Sequence, residues 1–437
     1  MYNRCFDQRF FDPRLLKQRF LNHHRLIRCS RKLPALSTAV WQDRRHNRAA
    51  PGAAFCCVLA FSLSACGEFT PAPVDFSQDD IVPVGDLHTI EIQGRVIASL
   101  PQNPPAVDEK QAELGRLLFW DPILSGDQDV ACGTCHLPEL AYTDNQSQAI
   151  GVGGTGRGEL RVAGHTGVVR RNTQTLLNTA WNGIGELGVF DPATAPMFWD
   201  NRAAGFAEQA IEPIESRKEM RGDLFSKESI HQEIEQRLAG NSQYPTLFQE
   251  AFGTTVPAMD LVASALASFQ TTLVANNSRF DQWMRGDNTA MSPRELSGMQ
   301  EFVIAGCADC HSGPMFSDFE PHVLGVREGP SVTEPDNGDG SFAFRTPTLR
   351  QLEFTAPYFH AGQFSTLDRA IDFYDEPRSS ENPNVPSSSL DEELLDVPEM
   401  EDGRGPLIIS FLNTLNDENF DQSIPTEVPS GLPPGGF

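Results

Sequence analysis

Beyond residue 66, the 437-residue sequence has no cysteine outside two short motifs, which excludes a network of structural disulfides there. It also lacks any later run of about 18 apolar residues, so no membrane-spanning helix is predicted. Basic residues are scarce: 34 Lys and Arg stand against 59 Asp and Glu, a formal net charge of −25. This charge disfavours nucleic-acid binding and favours basic partners, although solubility in a salty environment explains it equally well.

The cysteines that are present form two C-x-x-C-H motifs. ACGTCH contains Cys132, Cys135 and His136, and GCADCH contains Cys307, Cys310 and His311. This is the attachment pattern of a c-type haem, in which two thiols bond to the porphyrin and the imidazole ligates the iron. A zinc ribbon places its cysteine pairs about 15 to 20 residues apart. Here the pairs begin 175 residues apart, so we predict two covalent haems, with paired zinc knuckles as the alternative.

Residues 1–65 are predicted to be a leader, because arginines precede the apolar run PGAAFCCVLAFSLSA. This run is too short to span a membrane as a stable helix and is typical of a signal peptide. It ends in LSAC, which resembles a bacterial lipobox. The resemblance implies cleavage before Cys66, acylation of its thiol and a periplasmic, lipid-anchored protein of a Gram-negative bacterium, with Gly67 fitting outer-membrane sorting. An overextended start site would explain the length of residues 1–43.

The organisation of the remaining chain follows from composition and a weak internal duplication. Ahead of each C-x-x-C-H motif stands a glycine four residues before a phenylalanine, and an aspartate follows each histidine by seven or eight residues. The duplication suggests two haem domains of related design. The predicted segments are a Pro-rich acidic tether (66–105), an N-terminal haem domain (106–258), a C-terminal haem domain (259–420) and a flexible tail (421–437).

The secondary structure is predicted to be mainly helical. Ser292 to Glu295 form a capping box with proline at the first helical position, which places a helix before the second haem motif. Two apolar helix faces are predicted: Ile230, Ile234 and Leu238, and then Val262, Leu266, Phe269 and Leu273. Long loops cover 145–170 and 325–347. The fold class is therefore mainly α, with two cytochrome c-like haem domains and long irregular loops.

Four further stretches carry a family resemblance: LGRLLFWDPILSG, RNTQTLLN, FWDNRAAGFAEQA and TPTLRQLEFTAPYFHAGQFSTLDRAIDFY. With the haem motifs, they resemble the bacterial di-haem cytochrome c peroxidases and their relative MauG, over about residues 105–416. The resemblance implies a predominantly α-helical, two-domain cytochrome c-like fold. It also implies a tryptophan between the two haems and a calcium ion between the domains.

By this resemblance, His136 and His311 are the proximal ligands of the N-terminal and C-terminal haem irons. Trp199 matches the tryptophan between the haems, where packing in an aromatic core is a compatible role. Gln209 and Glu219 match the distal-pocket residues, and a carboxylate over the iron could move a proton between the two peroxide oxygens. A surface glutamate on a helix is the alternative for Glu219.

The resemblance also assigns a calcium site and a further histidine. Asn172, Thr355 and Pro357 match the calcium position, where an amide oxygen and backbone carbonyls suit a hard cation. His360 matches a family histidine near the second haem, to which the sequence gives no role.

Two positions depart from the peroxidase pattern. The family's distal histidine on the loop after the first haem motif has no counterpart at the matching spacing. The histidine in that loop is His165, for which a solvent-facing position is favoured over iron ligation. The usual distal methionine of the second haem is replaced by Tyr374, as in MauG, and ligation of iron by Tyr374 is favoured over burial in the core.

These assignments predict a periplasmic peroxidase. Hydrogen peroxide would be reduced at the N-terminal haem with electrons from a small cytochrome c or copper protein, which the charge favours to be basic. The alternatives are MauG-like oxidation of a protein side chain and a non-catalytic di-haem electron-transfer lipoprotein. A homodimeric assembly stays open.

Overall fold

The computed structural model describes residues 76–329, 331–332, 334–375, 380–397 and 403–437. The predicted leader, the lipobox cysteine Cys66 and residues 66–75 of the predicted tether lie outside the described residues. Within the described part of the chain, no helix is long and apolar enough to cross a membrane.

The regular secondary structure of the described residues is mainly helical, as predicted. They are α1 (Glu109–Trp120), α2 (Cys132–Cys135), α3 (Gly205–Glu215), α4 (Ile230–Gly240), α5 (Tyr244–Phe252), α6 (Met259–Thr271), α7 (Arg279–Met284), α8 (Pro293–Ile304), α9 (Leu367–Asp375), α10 (Glu392–Asp396) and α11 (Arg404–Leu412). The strands are β1 (Val82–Val84), β2 (Leu87–Ile92), β3 (Arg95–Ala98), β4 (Pro196–Met197), β5 (Ala203–Ala204), β6 (Pro321–His322) and β7 (Phe344–Arg345). They form three small antiparallel sheets, in the orders β1-β2-β3, β4-β5 and β6-β7.

The first hydrophobic core lies where α1 crosses α6. Asp108 caps α1 by accepting hydrogen bonds from two backbone N–H groups of its first turn. Gly115 allows the close approach of the helices, since a Cβ there would lie 1.9 Å from the carbonyl oxygen of Ala265. Both apolar faces predicted for α4 and α6 are buried in this core.

The second hydrophobic core repeats this arrangement where α8 crosses α11. The predicted capping box is present, with Ser292 accepting from the Glu295 N–H and the Glu295 carboxylate accepting from the Ser292 N–H. A Cβ at Gly298 would lie 2.1 Å from the carbonyl oxygen of Leu407. The glycine of each duplicated stretch is thus the point where one helix contacts the backbone of another, just before a C-x-x-C-H motif.

Three segments differ from the sequence-based organisation. Residues 82–98 of the predicted tether form the β1-β2-β3 sheet, because Ile90 and Ile97 bury their side chains in the second core. Helix α6 packs in the first core, so that core extends past the predicted boundary at 258. In the predicted flexible tail, Val428 is buried in the same core and Ser430 donates a 2.6 Å hydrogen bond to Asp121.

Candidate active site

The first C-x-x-C-H motif is held by the short helix α2 and the turn after it. The thiols of Cys132 and Cys135 are unpaired. His136 donates a 2.8 Å hydrogen bond from Nδ1 to the carbonyl oxygen of Tyr142, which leaves Nε2 available to a metal. Burial lowers the pKa of His136 to about 4, so the imidazole is neutral, as a metal ligand must be.

The second C-x-x-C-H motif has the same local geometry. Cys307 and Cys310 are unpaired, and His311 Nδ1 donates a 2.8 Å hydrogen bond to the carbonyl oxygen of Phe316. Burial also lowers the pKa of His311. Each motif therefore presents two free thiols and one oriented neutral imidazole.

The surroundings of both motifs fit a haem. Cys132, Cys135 and His136 line a cavity of about 700 Å³, here called the first cavity. Cys307, Cys310 and His311 line a cavity of about 250 Å³, the second cavity. A structural zinc site needs four clustered ligands. Among the described residues, neither cysteine of the first motif belongs to a group of metal-ligating side chains, and Cys310 of the second motif groups only with Asp318 and His322. Neither motif thus gathers the four ligands of a structural zinc site, and the geometry favours haem.

Gln209 and Glu219 lie on the wall of the first cavity, together with His136. Gln209 is on α3, and Glu219 is on a π-helical turn, Arg217–Arg221, which follows α3. Such turns often occur at functional sites. Burial raises the pKa of the Glu219 carboxyl, and a hydrogen bond from Ser216 opposes that shift in part.

The loop 145–170 fixes the position of this turn. The carbonyl oxygen of Glu219 accepts a 3.0 Å hydrogen bond from the Val152 N–H. Gly151 permits the approach, because a Cβ there would lie 2.2 Å from the same carbonyl oxygen. His165, at the far end of this loop, has a side chain that is 55 % exposed, and it does not line the first cavity.

Trp199 lies on the wall shared by the two cavities. Its indole is 8 % exposed and donates a 3.0 Å hydrogen bond from Nε1 to the carbonyl oxygen of Asn172. The N–H of Asn172 donates in turn to the carbonyl oxygen of His360 at 2.8 Å. These bonds hold the indole ring in one orientation between the two candidate haem sites.

The residues assigned to calcium by resemblance all line the second cavity: Asn172, Thr355 and Pro357. The Asn172 side-chain amide donates a 2.8 Å hydrogen bond to the carbonyl oxygen of Gln146. That bond occupies the amide nitrogen, whereas the amide oxygen accepts no hydrogen bond from the described residues. An amide oxygen of this kind is a suitable ligand for a hard cation.

Tyr374 is on α9 and lines the second cavity with His311. Three other residues of the same helix line that cavity too: Leu367, Ala370 and Ile371. Burial, reinforced by the nearby thiols of Cys307 and Cys310, raises the pKa of the Tyr374 hydroxyl. A cation at the centre of the cavity would be needed to favour the phenolate there.

Sequence reasoning did not identify two charged side chains beside the second cavity. His322 lies between Asp318 and Asp391, with ring nitrogens 2.9 and 2.6 Å from their carboxylates. Hydrogen bonds with Asp318 and then with Cys310 raise its pKa to about 11, although burial opposes the shift. Arg345 is buried and lines both cavities. It stands in the segment immediately before TPTLRQ, but only the folded chain brings it to the Trp199 wall.

Comparison with known proteins agrees with this geometry. A family model, di-haem cytochrome c peroxidase, matches residues 109–289. The chain is 31 % identical over 381 residues to cytochrome c551 peroxidase of Nitrosomonas europaea, covering 85 % of this chain and 95 % of that protein. It is 32 % identical over 376 residues to the methylamine utilization protein MauG of Methylorubrum extorquens, covering 83 % and 92 %.

A solved structure shares the fold. The diheme peroxidase BthA of Burkholderia thailandensis superposes with a TM-score of 0.56 at 20 % identity, covering 80 % of this chain and 98 % of that one. The helical architecture with few small sheets is therefore common to both proteins.

Proposed function

This chain belongs to the di-haem cytochrome c peroxidase family of haem-dependent oxidoreductases, and from that membership we propose that it reduces hydrogen peroxide to water. The observation that carries the proposal is the first cavity. Glu219, Gln209 and the proposed proximal ligand His136 all line it, together with Trp199. A haem attached at Cys132 and Cys135 would supply the iron at which peroxide is bound and its O–O bond is reduced.

Residues of this chain are proposed to transfer the protons and to conduct the electrons. Glu219 takes the proton from one peroxide oxygen and returns it to the leaving oxygen, which positioned acid–base groups can do efficiently. The amide of Gln209 orients the bound molecule by hydrogen bonding. Two electrons and two protons convert each peroxide into two waters, and Trp199 connects the two cavities through which those electrons pass.

The electron donor is proposed to be a small cytochrome c or copper protein with a basic surface. The net charge of −25 supports a basic donor, because opposite charges steer association and fix orientation. The site residues Asn172, Thr355 and Pro357 are proposed to hold one calcium ion beside the second cavity.

MauG-like oxidation of a protein side chain is the second candidate function. Tyr374 favours it, since this residue stands in the second cavity where the ordinary peroxidases carry methionine. Turnover of peroxide with a reduced cytochrome as the sole electron donor separates the two functions.

An electron paramagnetic resonance spectrum of the ferric protein tests the proposal against a non-catalytic electron-transfer role. The peroxidase requires one haem with an open coordination position and a signal that changes when peroxide is added. Two six-coordinate haems, neither of which responds to peroxide, would rule the peroxidase out.

The purified protein is expected to contain two covalent haems per chain. Both motifs present free thiols and an oriented imidazole beside a cavity, which is why neither should remain empty. A pyridine haemochrome assay measures the ratio, with Cys307→Ala/Cys310→Ala as a matched variant expected to retain one haem. A ratio of one in the unaltered protein would contradict the assignment.

Cys66→Ser is expected to release the protein from the membrane fraction into the soluble periplasm. The lipobox resemblance at Leu63 to Cys66 supports acylation of this thiol, and the substitution removes the acylated atom. Fractionation followed by immunoblotting gives the result, and Cys57→Ser, in the leader itself, is the control. Equal solubility of the unaltered protein would show that no lipid anchor exists.

A further inference from the structure

Arg345 carries a buried charge that no acidic side chain of the described residues neutralises by direct contact. Its side chain is 6 % exposed and lines the wall between the first and second cavities. Its backbone N–H donates to the carbonyl oxygen of Trp199 at 2.7 Å, and its Nε donates to that of Phe198 at 2.8 Å. The two terminal nitrogens have no hydrogen-bond partner among the described residues.

Two other buried arginines show how this chain ordinarily satisfies such a group. Arg350, 1 % exposed, forms two hydrogen bonds of 2.9 and 3.1 Å with the carboxylate of Asp281. Arg161, 5 % exposed, donates to three backbone carbonyl oxygens. Arg345 differs from both because its side chain makes one hydrogen bond, from Nε, and otherwise lies over the Phe319 ring, with its Cζ 5.9 Å from the ring centroid.

Asp200 is the acidic residue whose charge acts on Arg345, but its carboxylate already has two arginine partners. Its carboxylate pairs with Arg171 and Arg202, each at 2.8 Å. Burial lowers the pKa of Arg345 to about 10, although Asp200 partly opposes that shift. A buried cation is stable only when it is paired and hydrogen-bonded, so Arg345 needs an anion that the described side chains do not provide.

A further unpartnered ring nitrogen lines the second cavity. His360 is 4 % exposed and lines the second cavity, and its Nε2 has no hydrogen-bond partner. Its ring stacks on Phe344, the neighbour of Arg345 on β7, with centroids 3.6 Å apart and planes within 5°. Its centroid is 6.5 Å from that of Trp199. The tautomer of the ring that carries its proton on Nε2 can donate one N–H to an anion in this cavity.

We propose that Arg345, assisted by His360, binds a propionate carboxylate of a haem at the wall between the two cavities. A carboxylate matches the planar fork of a guanidinium and accepts two of its N–H groups. The proposal rests on the haem content that family membership implies and holds whether or not the protein turns over peroxide.

This pairing has a consequence for the potential of the haem. A fixed cation at the carboxylate keeps that group ionised at neutral pH, and it also favours the reduced haem, which carries one positive charge fewer. Arg345 therefore acts as a positioning residue that sets the potential next to Trp199, and not as a catalytic residue.

Arg345→Met tests the proposal through the midpoint potentials of both haems, measured by spectroelectrochemistry across pH 6 to 9 on the purified holoprotein. At high pH, the midpoint potential of one haem should be lower in Arg345→Met than in the unaltered protein. It should also become dependent on pH, because an unpaired buried carboxylate takes up a proton when the haem is reduced. Arg345→Lys keeps the charge and should stay nearly independent of pH. Arg170→Met, which removes an exposed arginine of the first cavity that pairs with Asp336 and not with Asp200, is the matched control.

Potentials of Arg345→Met equal to those of the unaltered protein at every pH, with two haems bound, would overturn the proposal. If Arg345→Met does not accumulate with two haems, His360→Leu decides: a smaller fall with the same pH dependence supports the proposal, and unchanged potentials overturn it. Titration of the unaltered protein with chloride and with formate separates a free anion from the propionate. Potentials that shift with either ion would assign the site to free anions instead.

Discussion

Glu219→Gln is expected to reduce peroxide turnover by about 10²- to 10⁴-fold without changing the haem content, since positioned acid–base groups contribute that much. The glutamine keeps the size and the hydrogen-bonding capacity of the side chain but cannot accept a proton from peroxide. The measurement is steady-state peroxide consumption with a reduced cytochrome as donor. Glu212→Gln is the matched control, because Glu212 lines the same cavity and pairs with Arg202 on its wall.

The pH dependence gives this variant a second readout. Glu219 must be ionised to take the first proton, and burial raises its pKa above the ordinary glutamate value. In the unaltered protein, kcat/KM should therefore fall as the pH drops through this raised pKa, at a higher pH than an exposed glutamate would give. The Gln variant should lose this acidic limb. Near-normal turnover with the limb intact would assign Glu219 a structural role.

Tyr374→Met is expected to raise the midpoint potential of the C-terminal haem. A thioether ligand favours ferrous iron, whereas an anionic phenolate favours ferric iron and lowers the potential. Tyr374 lines the second cavity with His311 and the two thiols of that motif, and its ligation of the iron is the prediction that this variant tests. The measurement is a spectroelectrochemical titration of each haem, in which the unaltered protein and the Tyr374→Met variant are compared at one pH.

Two phenylalanine variants separate ligation from packing. Tyr374→Phe removes only the hydroxyl, and it should open the sixth coordination position of the second haem. Tyr358→Phe is the matched control, because Tyr358 lines the same cavity but donates its hydroxyl to the carbonyl oxygen of Leu352 at 2.8 Å. If Tyr374→Phe and Tyr358→Phe both leave the spectrum and the potential unchanged, Tyr374 is a packing residue.

A tyrosine ligand would also remove the need for reductive activation. A haem held in the ferric form is a poor reservoir for a stored electron. The first cavity points in the same direction, since His136 is the only histidine on its wall among the described residues and His165 is exposed to solvent. The fully oxidised enzyme is therefore expected to react with peroxide, and rapid mixing should show spectral changes at both haems.

Local sequence patterns predicted the parts of the fold that depend on local interactions. The capping box at Ser292 predicted the start of α8, and apolar spacing predicted the buried faces of α4 and α6. The weak duplication also had a physical basis, because Gly115 and Gly298 each allow a helix to contact a neighbouring backbone. These signals depend on residues within a few turns of one another.

Other features depend on contacts between distant segments and left no local signal. The proline and acidic residues of 66–105 predicted a tether, although β2 and β3 pair as a hairpin around the Gln93–Gly94 turn. The C-terminal segment is stabilised by contacts with residues far away in the sequence. The Thr134 hydroxyl, for example, donates a 2.6 Å hydrogen bond to the carbonyl oxygen of Gly435. Arg345 pairs with Pro321 between β6 and β7, and its N–H bonds to the carbonyl oxygen of Trp199, so both of its backbone contacts join distant segments.

Steady-state reduction of hydrogen peroxide by the holoprotein, with a reduced small cytochrome c as the sole electron donor, tests the central claim most directly. The account predicts sustained turnover that consumes two reduced cytochromes for each peroxide, starting from the fully oxidised enzyme, and a loss of about 10²- to 10⁴-fold in Glu219→Gln. A protein that carries both haems, accepts electrons from the cytochrome and still leaves peroxide unconsumed would contradict it.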